Sequence, residues 1–385
     1  MHPLIFSQAL SRDLGFGDAE LVALVSTPLS DHLPPLDFDN PPRNPDEVPI
    51  ERHGALLLLA ARAAIDVLFT GQQAVRVSLY PDISRMFSNY IGVHDTAPEE
   101  VASTHPQALL DSLLALTVLA VQNSPYIPNA IPTDDKEYQD LVLSLTSCTA
   151  RQSYITIRRI PASVVHENPS QLARFKLIRR ALEDSKLQLL KDSGIGWLKD
   201  ETLSTWQAYL EHTNNNNTYN PTIFLNPHYF AVLFPLLFNP ADVDVDVSSD
   251  IVTAWARFLQ ILSPHIHSAL SLFYILVSSP ALRERLQLSK NYRYFRVRFL
   301  EPLRAVCHAF AADLKQNGGA GQLEAAVGED VCHTGMIRSV DLISSILGRI
   351  EDAVGEAFVV PVAELEEPSK EDIEAEKEIR YKTAY

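Results

Sequence analysis

Residues 172–210 read LARFKLIRRALEDSKLQLLKDSGIGWLKDETLSTWQAYL, and their spacing decides the fold. Leu172, Phe175, Ile178 and Leu182 recur at steps of three and four, which places them on one face of a helix. Arg174, Lys176, Arg179 and Arg180 are expected to take most of the remaining surface. Glu183-Asp184-Ser185 breaks the apolar rhythm, and Asp184 or Ser185 can cap the next helix by accepting a free backbone N–H. The second helix turns Leu187, Leu190, Ile195, Leu198 and Trp206 inward, with Gly194 where only a small residue fits between packed helices. A glycine inside a helix costs about 1 kcal/mol relative to alanine, so close approach of a neighbour is the natural compensation. Neither helix buries its apolar face alone, and the pair requires stacked neighbours.

Working outward, helical patterns recur along the chain. A short N-terminal helix is expected within 1–25, around Leu14 to Val25, then a proline-rich linker over 26–49. The first helical half spans 50–212, with helices over Ile50–Thr70, Val75–Ile91, Pro98–Asn123 and Asp134–Thr149. Ser153–Ile160 is rich in β-branched residues, but packing among helices favours a helix there. Pro161 and Pro169 bracket a corner. An Asn-rich loop occupies 213–220, and a second helical half occupies 221–361. That half holds a helix over Asn226–Phe238 and longer stretches over Ile251–Val277, Pro280–Gln316 and Gln322–Ala357, split near Pro264, Pro302 or Gly335. A charge-dense tail fills 362–385. Helix pairs at a loose period of roughly 35–45 residues predict an all-α fold, an α-solenoid of degenerate HEAT/ARM-like pairs.

Composition bounds the function. The 385 residues exceed one ordinary core. A hydrophobic fraction of 46% supplies the interior, while 14 glycines are few for an all-β fold or a glycine-rich nucleotide site. The net charge of −16 disfavours nucleic acid and anionic membrane as partners. Cys148, Cys307 and Cys332 are too few and too scattered for a disulfide framework or a zinc knuckle. No secretory leader is read at Met1, so a reducing compartment, cytoplasmic or nuclear, is expected. The most apolar run, Gly54 to Phe69, carries Arg62 and Asp66 and reads as a buried core helix instead of a membrane span.

Candidate chemistry is weak. Asp242, Asp244, Asp246 and Asp250 imitate half a calcium loop, yet Val247 replaces the turn glycine and Thr253 the bidentate glutamate, so an acidic loop is the better reading. Asp134-Asp135 opens a helix, where acids complement the macrodipole. His265 and His267 point apart on a helix, and Cys307-His308 and Cys332-His333 are adjacent pairs without a chelating face. No catalytic residue, metal site or cofactor is assigned. The most suggestive surface is the basic-aromatic tract in which Arg283, Arg285, Arg293, Arg296, Arg298 and Arg304 sit among Tyr292, Tyr294, Phe295 and Phe299. Arginine forks and aromatic anchors together suit an acidic or phosphorylated protein partner, and a solvated helix with buried aromatics is the equally weighted alternative.

The stretch from Ala173 to Arg180, with Asp192 to Leu203, resembles fungal proteins of the Yap-binding, Alf4 and glomulin group, as does the helix opening Arg52-His53-Gly54-Ala55-Leu56. The resemblance implies a HEAT-like adaptor associated with a stress-response transcription factor or a ubiquitin-ligase subunit, and it transfers no binding residue. A protein-binding, non-enzymatic adaptor is therefore the leading expectation. A helical enzyme with a cavity between its halves would show converging polar groups in a deep cleft. A fragment of a larger solenoid is the third reading.

Overall fold

The computed structural model describes residues 17–27, 52–70, 75–92, 104–123, 131–149, 157, 159–184, 190–214, 222–316, 321–355 and 358. Among them every regular element is helical, and helix packs on helix as the solenoid class requires. The proline-rich linker from 28 on, the Asn-rich loop from 215 on, Leu187, most of Ser153–Ile160 and the charged tail lie outside the described residues. The chain packs as two compact units, Met1–Pro169 and Ser170–Tyr385.

In the first unit, α1 (Asp18–Ser26) starts at Gly17, whose N–H donates to Glu20 Oε2 at 2.9 Å. It runs antiparallel to α2 (Arg52–Ile65): Arg62 meets Asp18 at 2.9 Å at one end, and Arg52 donates to the Thr27 carbonyl at 3.0 Å at the other. A wide π turn, Asp66–Thr70, extends α2. The expectation of a break at Pro81 is met by a kinked turn, Leu79–Ile83, in which Tyr80 is extended and the Tyr80–Pro81 peptide is cis. Then come α3 (Ser84–Tyr90), α4 (Gln107–Asn123), α5 (Asp135–Thr149) and α6 (Ile160–Glu167). The expected corner between Pro161 and Pro169 is itself the short helix α6, because Pro161 sits in its first turn, where no N–H is needed. α2 packs on α1 and α4, and α3 on α5, around Leu56, Leu59, Phe87, Leu113, Leu116 and Tyr138. The reading of 54–69 as a buried core helix holds for one face only. Leu57 on the other face, and Val67, Leu68 and Phe69 in the π turn, are exposed.

The second unit opens with the deciding pair, α7 (Gln171–Glu183) and α8 (Lys191–Asn214). Phe175, Ile178, Leu182, Leu190, Ile195 and Leu198 are buried as their spacing predicts, while Leu172 and Trp206 are half-buried. The basic residues of α7 do not form an outer surface. Lys176 and Arg179 are buried, and Arg174 holds the buried Glu201 of α8 at 2.8 Å. A helix stacked on more than one side has little solvent face, so its charges must find partners inside. Asp184 closes α7 by donating its backbone N–H to Arg180. A Cβ built on Gly194 would lie 3.1 Å from the Ala181 Cβ, so any larger residue presses on the crossing. Gly194→Val is expected to destabilise by about 1–3 kcal/mol through overpacking. Gly196→Ala, with open space around it, should gain up to about 1 kcal/mol in thermal or urea unfolding.

Next come α9 (Pro227–Leu237), α10 (Ile251–Arg257), α11 (Ser263–Ser278), α12 (Pro280–Arg285), α13 (Leu288–Phe295) and α14 (Glu301–Gln316). The last three are α15 (Gln322–Val327), α16 (Glu329–Met336) and α17 (Leu342–Gly355). Ile251–Ser278 is long and apolar enough to cross a membrane by composition, but it is the core of this unit, packed on α8 and α17. The expected splits at Pro264 and Pro302 are wide π turns, Phe258–Leu262 and Arg296–Leu300, just before each proline. A proline donates no hydrogen bond to the carbonyl four residues back, and the wider turn absorbs that gap without ending the helix. Gly335 does not split its stretch; the break falls at Gly328, with φ of 86°, and a π turn Ile337–Asp341 follows α16. Phe234, Phe238, Phe273, Phe295 and Phe299 form one buried aromatic cluster, with Phe238 and Phe295 centroids 4.2 Å apart.

Candidate functional site

The six arginines singled out in the sequence divide by their surroundings. Tyr292, Phe295 and Phe299 share the buried face of α13 and its π turn, in contact with the phenylalanine cluster, so they anchor the helix and are closed to a partner. Arg283 donates to the Val277 carbonyl at 3.2 Å and lies 5.9 Å from the Phe358 ring. Arg285 stacks 4.5 Å over Tyr209 of α8. Arg304 is paired with Glu351 of α17. These three stitch elements of the unit together.

Of the other three, Arg296 and Arg298 face outward and Arg293 is half-buried. The π turn Arg296–Leu300 places Arg296, Val297 and Arg298 consecutively in solvent between the buried Phe295 and Phe299. Arg296 bridges to Glu301 at 3.1 Å, with both side chains more than half exposed, a contact worth little in water. Half-buried Arg293, one turn before, has Nη1 buried without a hydrogen-bond acceptor among the described residues. The surface that remains is two exposed arginines around an exposed valine, with the half-buried Arg293 beside them.

The acidic loop resolves into separate roles. Asp250 caps α10, accepting from the Val252 and Thr253 N–H groups at 3.0 and 3.1 Å. Asp246 accepts from Ser248 and Ser249, whose hydrogen bonds hold its carboxyl at about 2. Asp242 departs from the sequence reading: it is buried, not part of an exposed acidic loop. The Asn239 side chain caps the turn Pro240–Asp242 and turns Asp242 beneath α11. There it accepts from Lys191 Nζ at 3.2 Å and faces His265 Nε2 at 3.2 Å, while His265 Nδ1 lies 3.1 Å from the Ile261 carbonyl. Burial alone would raise the Asp242 carboxyl, but the hydrogen bond and charge of His265, with those of Lys191, hold it below the usual range. Among the described residues, no three or more His, Cys, Asp or Glu side chains gather as a metal set.

Other chemical groups are occupied structurally. Cys148, Cys307 and Cys332 are buried; burial pushes the first two thiols up to about 12 and raises the third. A thiol so shifted is not a thiolate at neutral pH. A shallow cleft of about 190 Å³ lies between α3 and α5, lined by Ser84, Arg85, Glu137 and Asp140 among others. That is below the roughly 300–1,000 Å³ of small-molecule sites. Burial would lift the Glu137 carboxyl, but hydrogen bonds from Ser84 and Thr133 outweigh it and hold the group ionised. Asp134 in turn accepts from the Glu137 N–H at 2.7 Å, a helix cap in keeping with the macrodipole reading of Asp134-Asp135.

The model of a family described as an uncharacterised protein family, YAP/Alf4/glomulin, matches residues 5–346. No curated protein and no solved structure matches the chain. With nearly its whole length matched, the chain belongs to the YAP/Alf4/glomulin family.

Proposed function

We propose that this protein is a non-catalytic adaptor that binds an acidic segment of a protein partner on the surface formed by Arg293, Arg296 and Arg298. The observation that carries the reading is the π turn, which presents two arginines and a valine outward from a rigid aromatic anchor in a chain of net charge −16. Such a local reversal of sign steers an acidic partner to one place. Guanidinium groups bind carboxylates and phosphates in a bidentate fork, and Val297 supplies an apolar contact between them. Arg283, Arg285 and Arg304 support this surface from within. Family membership favours a transcription factor or a ubiquitin-ligase subunit as the partner, and a cytoplasmic or nuclear setting. Nucleic acid and membrane are disfavoured by the same charge.

The test is quantitative co-purification from native extract with the wild type and the triple variant Arg293→Glu, Arg296→Glu, Arg298→Glu, followed by mass spectrometry. A stoichiometric partner recovered at least about tenfold less on the variant supports the surface. Equal recovery on both removes it. Lack of any stoichiometric partner, together with turnover of a small metabolite, would overturn the adaptor reading itself.

A further inference from the structure

Phe358, the last described residue, fixes where the chain leaves the second unit. Its N–H donates to the Val354 carbonyl of α17 at 2.8 Å, and its ring lies 5.3 Å from that of Tyr292 in α13. The Arg283 guanidinium stands 5.9 Å from the same ring. Arg296 follows Tyr292 by one helical turn and Arg298 by two residues more, a rise of roughly 6 and 9 Å along the helix. Burial raises the Tyr292 phenol, and the Arg296 charge opposes it as a neighbour does. The exit point and the arginine surface adjoin.

The residues that follow are matched to that surface. Residues 359–367 read VVPVAELEE, with three carboxylates and no basic residue; they lie outside the described residues. Glu364-Leu365-Glu366 repeats Arg296-Val297-Arg298 with the charges reversed, an aliphatic residue between two like charges in each. The six steps from Phe358 to Glu364 reach as far as about 20 Å, more than the distance along the helix requires. The surface is also open: Arg298 has no ion-pair partner among the described residues, and the Arg296–Glu301 bridge is exposed and weak. Single exposed pairs hold little, but a ligand on a short tether acts at an effective concentration on the order of millimolar. A contact too weak between separate molecules therefore persists within one chain. A second copy lacks the tether and brings a further −16.

We infer that the chain's own residues 364–367 occupy the surface of Arg296, Val297 and Arg298 when no partner is bound, so that an acidic partner binds by displacing them. The displacement rests on the adaptor reading above; the intramolecular contact does not, and the two are tested apart.

Arg298→Lys keeps the charge and supplies an amine that a carbodiimide couples to a carboxylate in contact with it. In the purified full chain at low salt, mass spectrometry of the monomer band should show an amide between position 298 and Glu364, Glu366 or Glu367. Its yield should fall at least about tenfold near 1 M salt, where charges are screened beyond about 3 Å. Coupling to Glu301 alone, or spread evenly over the acids from Glu364 to Glu378, overturns the contact. So does coupling confined to a dimer band, which would make a second copy the occupant. In the co-purification described above, the combined variant Glu364→Gln, Glu366→Gln, Glu367→Gln should recover at least about threefold more partner. Unchanged recovery overturns the displacement. Should no partner be recovered from any form, the adaptor reading fails while the cross-link still decides the contact.

Discussion

Replacing Asp242 with alanine is expected to destabilise the protein by about 3–5 kcal/mol, the largest single loss among the substitutions considered. Asp242 lies between Lys191 and His265, and all three are buried, so its removal leaves the Lys191 ammonium in the interior without its carboxylate. The loss comes from the stranded cation, not from the gross attraction of the pair. The double variant Lys191→Met, Asp242→Leu should therefore recover most of it in urea unfolding. A double variant no more stable than Asp242→Ala would show that the pair is not what holds the turn Pro240–Asp242 under α11.

The same group gives a pH dependence of fixed sign. Its carboxyl is held below the usual value of about 3.9, so its contribution is present above that value and is lost as pH falls through the folded-state pKa. The stability gap between wild type and Asp242→Ala should shrink below about pH 4. A gap that does not shrink below about pH 4 would contradict the assignment.

Gly335→Ala carries the second large effect, and its sign is opposite to the usual helical one. Alanine normally stabilises a helix interior by about 1 kcal/mol over glycine. Here the new Cβ would sit 2.6 and 2.8 Å from Trp255 Cζ2 and Cη2 and 3.2 Å from Leu259. Trp255 is 2% exposed and has no room to retreat. A net loss of about 1–3 kcal/mol is expected. Gly348→Ala in α17, where nothing stands within 4 Å, should instead gain up to about 1 kcal/mol. Trp255→Phe removes the obstructing ring atoms, so Gly335→Ala should cost less in that background. An unchanged cost would place the strain elsewhere.

These contrasts mark how much was legible in the sequence. The inward residues of α7 and α8 and the slot at Gly194 followed from spacing alone, because a step of three to four fixes which residues share a face. The buried arginine and lysine of α7 did not follow, since binary patterning assigns charge to solvent and knows nothing of a third neighbour. The partner Glu201 lies 27 residues from Arg174, beyond any local rule. Asp242 was hidden among exposed acids; the signal that could have set it apart was Asn239-Pro240, a capped turn that aims the next acid inward. The basic-aromatic tract was legible as composition but not as a surface. Tyr292, Phe295 and Phe299 keep a 3–4 spacing of their own and fall on the core side, leaving Arg296, Val297 and Arg298 outside and Arg293 half-buried.

The π turns before Pro264 and Pro302 also bear on the chain's ancestry. Each closes its hydrogen bond one residue later than an α turn does, so each holds an additional residue within an otherwise continuous rod. Every such residue shifts the phase of the text by one while the stacked helices keep their places. Two copies of one ancestral unit, separated by a few of these slips, would superimpose in space and still fail to align as letters.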